Sequence, residues 1–547
     1  MLLGRLSLNQ TNEIMKNIIT IAICLLTTLG FAQNFEWVTS EGGYNEDRGL
    51  GVASDANGNT YVTGFFQGTA TFGSYTFTST GGKDIFLAKY NPDGVLLWAQ
   101  QFGGQGNGFG NEVAVDASGN CYLAGSFSGT VAFGTIVLQS TTLDPDALLL
   151  KTDPDGNVLW ARKGGGAAWD EARSVVVAGD LVYITGLFSE TATFGSTTVT
   201  TLGNVDMFVA AYDLNGNFYW FSRGGGPQSE IGFAIAADSA GNAYVTGYFQ
   251  GGQTNFGTVS VSNGGNLYTD MFVVKLDAAG TFLWARSGGT IANDDEGRGI
   301  AADEEGNVYV TGEMRDAGSF DVLSYSGAGI ADIFVAKYDT SGTIQYLKQF
   351  GSGGGDYGYD IATYGGNLFV TGLFWGTIGF GQTTVTSQGN NDIYLAALNA
   401  TTGDAITALR AGGLGSDFGQ AVSASASGTH VTGDFEHNGS TFPPFTLNTN
   451  GVHDIFTAKL NFGSLTNPDF TGSQFTISPN PAKLQLNINS YSIVDAVAIY
   501  NMLGQQVMAF DLAASNISLD VSMLPSGIYM VETTSNGKTG TKKFVKD

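Results

Sequence analysis

Cysteine, histidine, proline and positive charge are all scarce in this chain of 547 residues. Two cysteines, three histidines and ten prolines leave no material for a disulfide framework, a His/Cys metal cluster or a collagen helix. Lysine and arginine number 23 against 49 aspartates and glutamates, a net charge of −26. Nucleic acid is recognised through a basic footprint and anionic membrane surfaces through basic segments, so this charge excludes both as partners. Charged residues are 13% of the chain while aromatics reach 12%, the reverse of a disordered composition. No apolar run is long enough to span a bilayer; the run from Ile18 to Leu29 has twelve residues where about twenty are needed. Glycine is abundant instead, at 80 residues, about twice ordinary usage.

That short apolar run reads as an export leader covering residues 1–32. Lys16 precedes it and Gly30-Phe31-Ala32 closes it as a small-x-small cleavage site. Met15 is the expected start. Ile23 ahead of Cys24 is not the small residue of a lipoprotein signal, so no lipid is expected. The mature chain then holds one cysteine, Cys121, and no internal disulfide is possible.

A repeat organises the rest. Tyr-Val-Thr-Gly or a close variant ends at Gly64, Gly125, Gly186, Gly247, Gly312, Gly372 and Gly433. An aspartate before an apolar run recurs in phase at Asp84, Asp146, Asp206, Asp270, Asp332, Asp392 and Asp454. Seven copies of both markers define seven units of about 61 residues. Each reads as four strands: a small apolar strand, a turn such as Asp303 to Asn307, the strand ending in the tetrapeptide, the Asp-led strand, a second turn, and a strand carrying an aromatic. That aromatic is Trp37, Trp98, Trp160, Trp220, Trp284 and Tyr346, with Ala408 in the remaining place. Seven four-stranded units close radially into a β-propeller, expected over residues 34–462. The first marker in the mature chain, Phe35-Glu36-Trp37, is a fourth strand without its first three, and the last unit lacks a fourth. Residues 35–40 are therefore expected to pair with 454–460 and close the ring.

The units resemble the bacterial-surface propeller family known as the SBBP repeat, through Asp303 to Gly312, Asp332 to Tyr338 and their copies. The resemblance covers residues 35–462; it implies the fold and is silent on activity. Phe-Gly stretches lie between second and third strands, at Phe72-Gly73, Phe133-Gly134, Phe194-Gly195, Phe256-Gly257 and Phe380-Gly381. An integrin-type repeat would add a calcium loop, but Asp153-Pro154-Asp155-Gly156-Asn157, the nearest approach, lacks the third carboxylate.

After a polar linker at 463–472 the period is lost. Residues 473–547 read as a small Ig-like β-sandwich with strands near 484–488, 496–500, 506–510 and 528–532. Ile477-Ser478-Pro479-Asn480-Pro481, Ile499 to Val507, Leu524 to Tyr529 and Lys542 to Lys546 resemble the C-terminal sorting domain of type IX (Por) secretion cargo in the Bacteroidetes. The resemblance implies export through periplasm and outer membrane, recognition by the type IX machinery, and a secreted or cell-surface destination. The net charge of this tail is zero. Residues 34–469 carry 16 basic and 43 acidic groups, so the surplus acid belongs to the propeller.

Little in the chain announces chemistry. His430 replaces the tetrapeptide tyrosine and is expected to pack; His437, His453 and Asp454 match no metal-ligand spacing. Cys121 sits in a strand and should be inert. Glycine runs such as Gly224-Gly225-Gly226 precede no helix and so cradle no phosphate. An acid recurs in the fourth-to-first connections at Asp47, Asp170, Glu230, Asp295, Asp356 and Asp417, with Gly108 in the seventh place. These six form a candidate ring at a channel mouth for Ca²⁺ or a cationic partner, while the Asp84 series reads as structural. Two functions follow from the residues: a non-catalytic propeller, expected to be a monomer, that binds a glycan or protein; or a secreted polysaccharide lyase or hydrolase using propeller carboxylates.

Overall fold

Turn chemistry sets the strands. Asp55 Oδ1 accepts the amides of Asn57 and Asn59, both at 2.9 Å, and its Oδ2 accepts the Asn59 side chain at 2.7 Å. Asp116 and Asp238 do the same in later copies. The tyrosine of the tetrapeptide reaches back to the same aspartate, as in Tyr244 to Asp238 at 2.8 Å and Tyr309 to Asp303 at 2.9 Å. The threonine donates to a third-strand carbonyl, as from Thr63 to Phe86 and Thr311 to Phe334. Each residue of the repeated motif thus has a mechanical task.

The computed structural model describes residues 34–265, 267–290, 292–462, 475–501, 505–535 and 538–547; the leader and linker expected at 1–32 and 463–472 lie outside the described residues. The chain divides into two compact units, Met1–Gly463 and Ser464–Asp547.

In the first unit, antiparallel pairing groups the strands into seven meanders. The first runs Arg48–Ser54, Thr60–Phe72, Tyr75–Tyr90 and Leu96–Gly104. Five more of the same order begin at Gly108–Val115, Glu171–Ala178, Glu230–Ala237, Glu296–Ala302 and Tyr357–Tyr364. The seventh joins Phe418–Ser425, Gly428–Phe435 and Asp454–Asn461 to the N-terminal strand Asn34–Gly43. There Phe35 pairs with Leu460 and Glu41 with Ile455, so the two chain ends share one sheet. Each first strand touches the first strands on both sides, and the seventh touches the first. The ring is closed and the fold is a β-propeller.

Apolar cores lie between neighbouring blades. Tyr61, Ile85 and Leu87 of the first pack on Val113, Leu123 and Leu148 of the second; Val52, Val62 and Phe86 meet Ala421 and Ile455 across the closing seam. The Phe-Gly stretches are hairpin ends that cover the preceding blade's outer strand: Gly103 and Gly104 pair with Ala132 and Val131, and Gly224 and Gly225 with Phe256 and Asn255. Those outer edges are thereby protected. The outer-strand tryptophan crosses the other way. Trp37 Nε1 donates to Pro92 O at 2.9 Å, Trp98 to Pro154 O at 3.1 Å and Trp220 to Ala278 O at 3.0 Å, each in the next blade's second turn. The indole of Trp37 lies where a side chain on Gly94 would stand, and Gly94 has φ +79°; only glycine serves there. Strand register gives the seventh place to Thr407, paired with Ala397 as Trp98 is with Lys89, and not to Ala408. The seam explains the departure: the seventh blade's outer strand comes from the N-terminus, so no third-to-fourth turn exists there to be reached.

The second unit is a five-stranded antiparallel sheet, Phe475–Ser478, Gln485–Asn501, Gln506–Asp520, Gly527–Ser535 and Lys538–Lys546, around Leu486, Ile488, Val497, Ile499, Val531 and Phe544. The strands expected separately at 484–488 and 496–500 belong to one long strand, whose register shifts between Asn489 and Val494.

Candidate functional site

The six acids of the fourth-to-first connections lie fully buried at the seams between blades. Asp47 accepts Gly43 N at 2.6 Å and Gln67 N at 2.9 Å. Asp170 accepts Gly166 N at 2.6 Å and Ser189 N at 3.1 Å. Asp356 takes Ser352 N at 2.6 Å and Trp375 N at 3.0 Å, and Asp417 takes Gly413 N at 2.7 Å and Glu436 N at 2.9 Å. Asp295 holds Thr290 N and Arg315 N, both at 2.7 Å. Glu230 holds Gly226 N and the Thr254 hydroxyl, both at 2.8 Å. Each staples the end of one blade's outer strand to the second strand or hairpin of the next. Burial pushes Asp47, Asp170, Glu230 and Asp417 up to about 7 and Asp295 to about 6. Asp356 is raised for the same reason.

The Asp84 series faces the staples across a glycine. A side chain on Gly42 would stand 2.6 Å from Asp454 Oδ1 and 3.0 Å from Asp47 Oδ2; one on Gly165 would stand 2.8 Å from both Asp146 Oδ1 and Asp170 Oδ2. Outer-strand donors meet several of these aspartates: Gln101 on Asp84 at 2.7 Å, Lys163 on Asp146 at 2.9 Å and Gln349 on Asp332 at 2.7 Å. Loop amides supply others, Leu202 N to Asp206 at 3.0 Å, Gln388 N to Asp392 at 2.9 Å and Asn450 N to Asp454 at 2.7 Å. Burial raises Asp270 to about 7, with Asp295 adding to it, and Asp454 to about 6. The glycine runs are accounted for here: they pass beneath carboxylates.

Among the described residues no three His, Cys, Asp or Glu side chains converge as metal ligands. His430 is buried beside Trp37, ring centroids 6.1 Å apart, and burial lowers it to about 4, so it is neutral. His453 lies 3.0 Å from Asp434, which raises it, while His437 is exposed. Cys121 is buried and its thiol pushed up by burial, unfit as a nucleophile.

The open site is the channel mouth. Every first strand carries a register shift directly after its Gly or Ala: Gly49/Gly51, Gly110/Glu112, Ala172/Ser174, Gly232/Ala234, Gly297/Gly299, Gly358/Asp360 and Gly419/Ala421. A bulge re-aims the extra residue. The seven extra residues are Leu50, Asn111, Arg173, Phe233, Arg298, Tyr359 and Gln420, and all seven line a cavity of about 400 Å³ together with Arg48, Glu112, Asp360 and Phe418. The backbone device repeats in all seven; of the side chains only arginine occurs twice.

Contacts link this hoop. Arg173 and Arg298 lie 5.0 and 5.1 Å from the Phe233 ring centre, Arg298 5.8 Å from Tyr359, and Arg48 5.5 Å from Phe418. Arg298 grips Glu313 through Nε at 2.9 Å and Nη2 at 2.8 Å, with Glu296 at 2.7 Å. Asn111 donates to Glu171 at 2.8 Å. One residue further, the hoop is small, with Gly51, Ser174, Ala234, Gly299 and Ala421, except for Glu112 and Asp360. Burial raises both, Asp360 to about 7, and the charge of Asp360 adds to the rise at Glu112. Sequence reasoning found none of these lining residues. The available signal was that the position after the first-strand glycine is the one that changes chemistry from copy to copy.

Residues 476–547 match the family model described as a secretion system C-terminal sorting domain, and residues 284–313 match a beta-propeller repeat. An uncharacterized WD repeat-containing protein of Acanthamoeba polyphaga mimivirus is 25% identical over 339 residues, 49% of this chain and 24% of its own length. The regulatory protein FlaEY of Caulobacter vibrioides is 26% identical over 360 residues, 59% of this chain and 35% of its own. The chain thus spans about a quarter to a third of these relatives. Among solved structures, a europium-containing methanol dehydrogenase aligns with TM-score 0.34 and 12% identity over 78% of this chain and 93% of its own. PorZ, a surface component of the type IX secretion system of Porphyromonas gingivalis, aligns with TM-score 0.15 and 10% identity over 93% and 100%. The chain is thus a β-propeller protein with a secretion-system C-terminal sorting domain, exported to the cell surface or the medium.

Proposed function

We propose that the protein is an exported binding module whose ligand site is the channel mouth, with the C-terminal unit as its sorting signal. In this reading a leader ending at Ala32 is removed on export and the linker at 463–472 separates propeller from tail. One observation carries the proposal: seven identical backbone bulges present seven side chains of six kinds to one cavity. A purely structural ring would repeat its side chains there, as it does at the staples. Concave sites with a few convergent polar groups among aromatics are where ligands bind. The test is adhesion. Cells displaying the wild type and an Arg173→Gln/Phe233→Leu variant are offered coats of host protein and of polysaccharide. Loss of adhesion by a variant displayed at equal level supports the site; undiminished adhesion to every coat that the wild type holds refutes it.

Glu112 and Asp360 favour a second reading, a polysaccharide hydrolase. Two buried acids, with the charge of Asp360 raising the proton affinity of Glu112, are the arrangement by which one carboxyl stays protonated as general acid. Release of reducing ends from soluble polysaccharide, abolished by Glu112→Gln, would support it; no release across neutral and acidic polymers would set it aside.

A further inference from the structure

We propose that the channel mouth takes the end of an uncharged glycan, one or two neutral sugar rings; the proposal rests on the binding reading above and names its ligand class. Charge balance is the first argument. Arg173 lies 3.4 Å from Glu171, Arg298 2.7 Å from Glu296 and 2.8 Å from Glu313, and Arg48 2.8 Å from Glu46. Every guanidinium of the hoop already has a carboxylate, so no surplus positive charge awaits an anion. The propeller's acidic surplus also repels polyanions at long range. Of the acids that line the cavity, Asp360 accepts Ile361 N and Val422 N and Glu112 accepts Val113 N, all at 2.8 Å, and burial favours the neutral form of both, which removes the incentive for a cation.

Donor and acceptor pattern is the second argument. Guanidinium N–H groups and carboxylate oxygens stand side by side around the mouth, and a sugar hydroxyl donates and accepts at once, so one hydroxyl satisfies both. Hydrogen bonds to charged partners are the stronger kind. On the channel floor Ser174 adds a hydroxyl, and Glu112 and Asp360, raised by burial, can act as donors as well as acceptors without a net charge. Phe233, Tyr359 and Phe418 supply apolar surface for the C–H face of a pyranose. The cavity, about 400 Å³, is at the small end of ligand pockets, room for one or two rings and not for a long chain.

The test uses the full exported chain and three probes by titration calorimetry: a neutral glycan array with its best binder taken forward as free disaccharide, digalacturonate, and a mixture of short peptides. The expected result is binding of a neutral disaccharide that is insensitive to salt and weakened about tenfold in Phe233→Leu and in Arg173→Gln, on the scale of a lost stacking or charged hydrogen bond, at unchanged melting temperature. Preference for digalacturonate with steep salt dependence, or for peptide, overturns the ligand class; if either is lost in the two variants, the channel-mouth site itself stands. Neutral-sugar binding untouched in both variants overturns the site along with the class. An array with no neutral binder overturns the class.

Discussion

Asp170→Ala separates a structural staple from a cation site. Both oxygens of Asp170 are spent on buried amides, Gly166 N at 2.6 Å and Ser189 N at 3.1 Å, which belong to the outer strand of the second blade and the second strand of the third. Removing the carboxyl orphans two donors that water cannot reach. An orphaned buried donor costs about 1–3 kcal/mol, giving about 2–6 kcal/mol for the pair. Relief of an unfavourable buried charge beside Asp146 offsets part of this, since Asp146 adds to the rise of Asp170 to about 7. We therefore expect about 2–4 kcal/mol. For a ring of this length the unfolding entropy makes that only about 2–4 °C in melting temperature. Calorimetry should be paired with hydrogen exchange, which should show faster exchange at Gly166 and Ser189 in particular. Asp155→Ala, on an exposed turn, is the control and should fall within about 0.5 kcal/mol of wild type. The scans are run with and without Ca²⁺. A melt unchanged by Asp170→Ala, or a calcium-dependent stabilisation of the wild type that the variant loses, would refute the staple and restore the cation ring.

The pH dependence has a fixed sign. Glu41, Asp47, Asp170, Glu230, Asp270 and Asp417 are raised to about 7 and Asp295 and Asp454 to about 6 by burial. The folded ring therefore holds protons that the unfolded chain gives up near pH 4, and its melting temperature should fall as pH rises from about 5 to about 8; a rise over that window contradicts the burial. Deleting residues 34–43 removes the outer strand of the seventh blade and should lower the melt of the whole propeller; an unchanged melt means the ring closes without it. Removing residues 470–547 should leave that melt unchanged and strand the protein in the periplasm, visible by fractionation; normal surface display contradicts the sorting role. Gly412→Ala places a methyl 2.6 Å from Asp417 Oδ2 and 3.0 Å from Asp392 Oδ1, at φ +131°, and should destabilise by about 1–3 kcal/mol; a neutral effect in denaturant titration shows that the seam has slack.

The strands and their ring order were legible because each rests on local chemistry that repeats. An Asp-x-x-Gly-Asn turn caps its own backbone, and a tyrosine two residues beyond reaches the same aspartate. The closing strand was legible from arithmetic alone, since a fourth strand stood without its first three. What sequence could not give was where a repeated acid points. Asp47 and its copies look like a ring of ligands when aligned by position. Their two donors lie four or five residues before and about twenty after, on neighbouring blades, and only the fold shows both oxygens occupied. The place of the missing tryptophan failed for a smaller reason: the turn before the sixth blade's outer strand is one residue longer, closing from Asn399 N to Asp404 O where the first blade's closes from Asn91 N to Val95 O, so the count from the third strand shifts and pairing gives the place to Thr407, not Ala408.

The two kinds of position differ in how they use the sevenfold frame. Staples, turn aspartates and crossing tryptophans do the same work wherever they occur, so those residues recur, and departures occur where the work is absent or done otherwise, as where the pairs Ala178–Leu181, Tyr364–Asn367 and Ser425–Gly428 close the first turn tightly. Thr407 stands where no next turn exists. Gly108 stands at the one seam without a staple, where the Asn107 side chain instead accepts Lys83 N at 3.0 Å and its backbone N–H donates to Ser128 Oγ at 3.0 Å. The bulge residues carry no such shared load. Leucine, asparagine, arginine, phenylalanine, tyrosine and glutamine all hold the same backbone shift, so the shift itself does not select their chemistry. A position with no structural demand common to all seven copies, repeated around one cavity and filled by six kinds of residue, is where the proposed binding site would set its specificity.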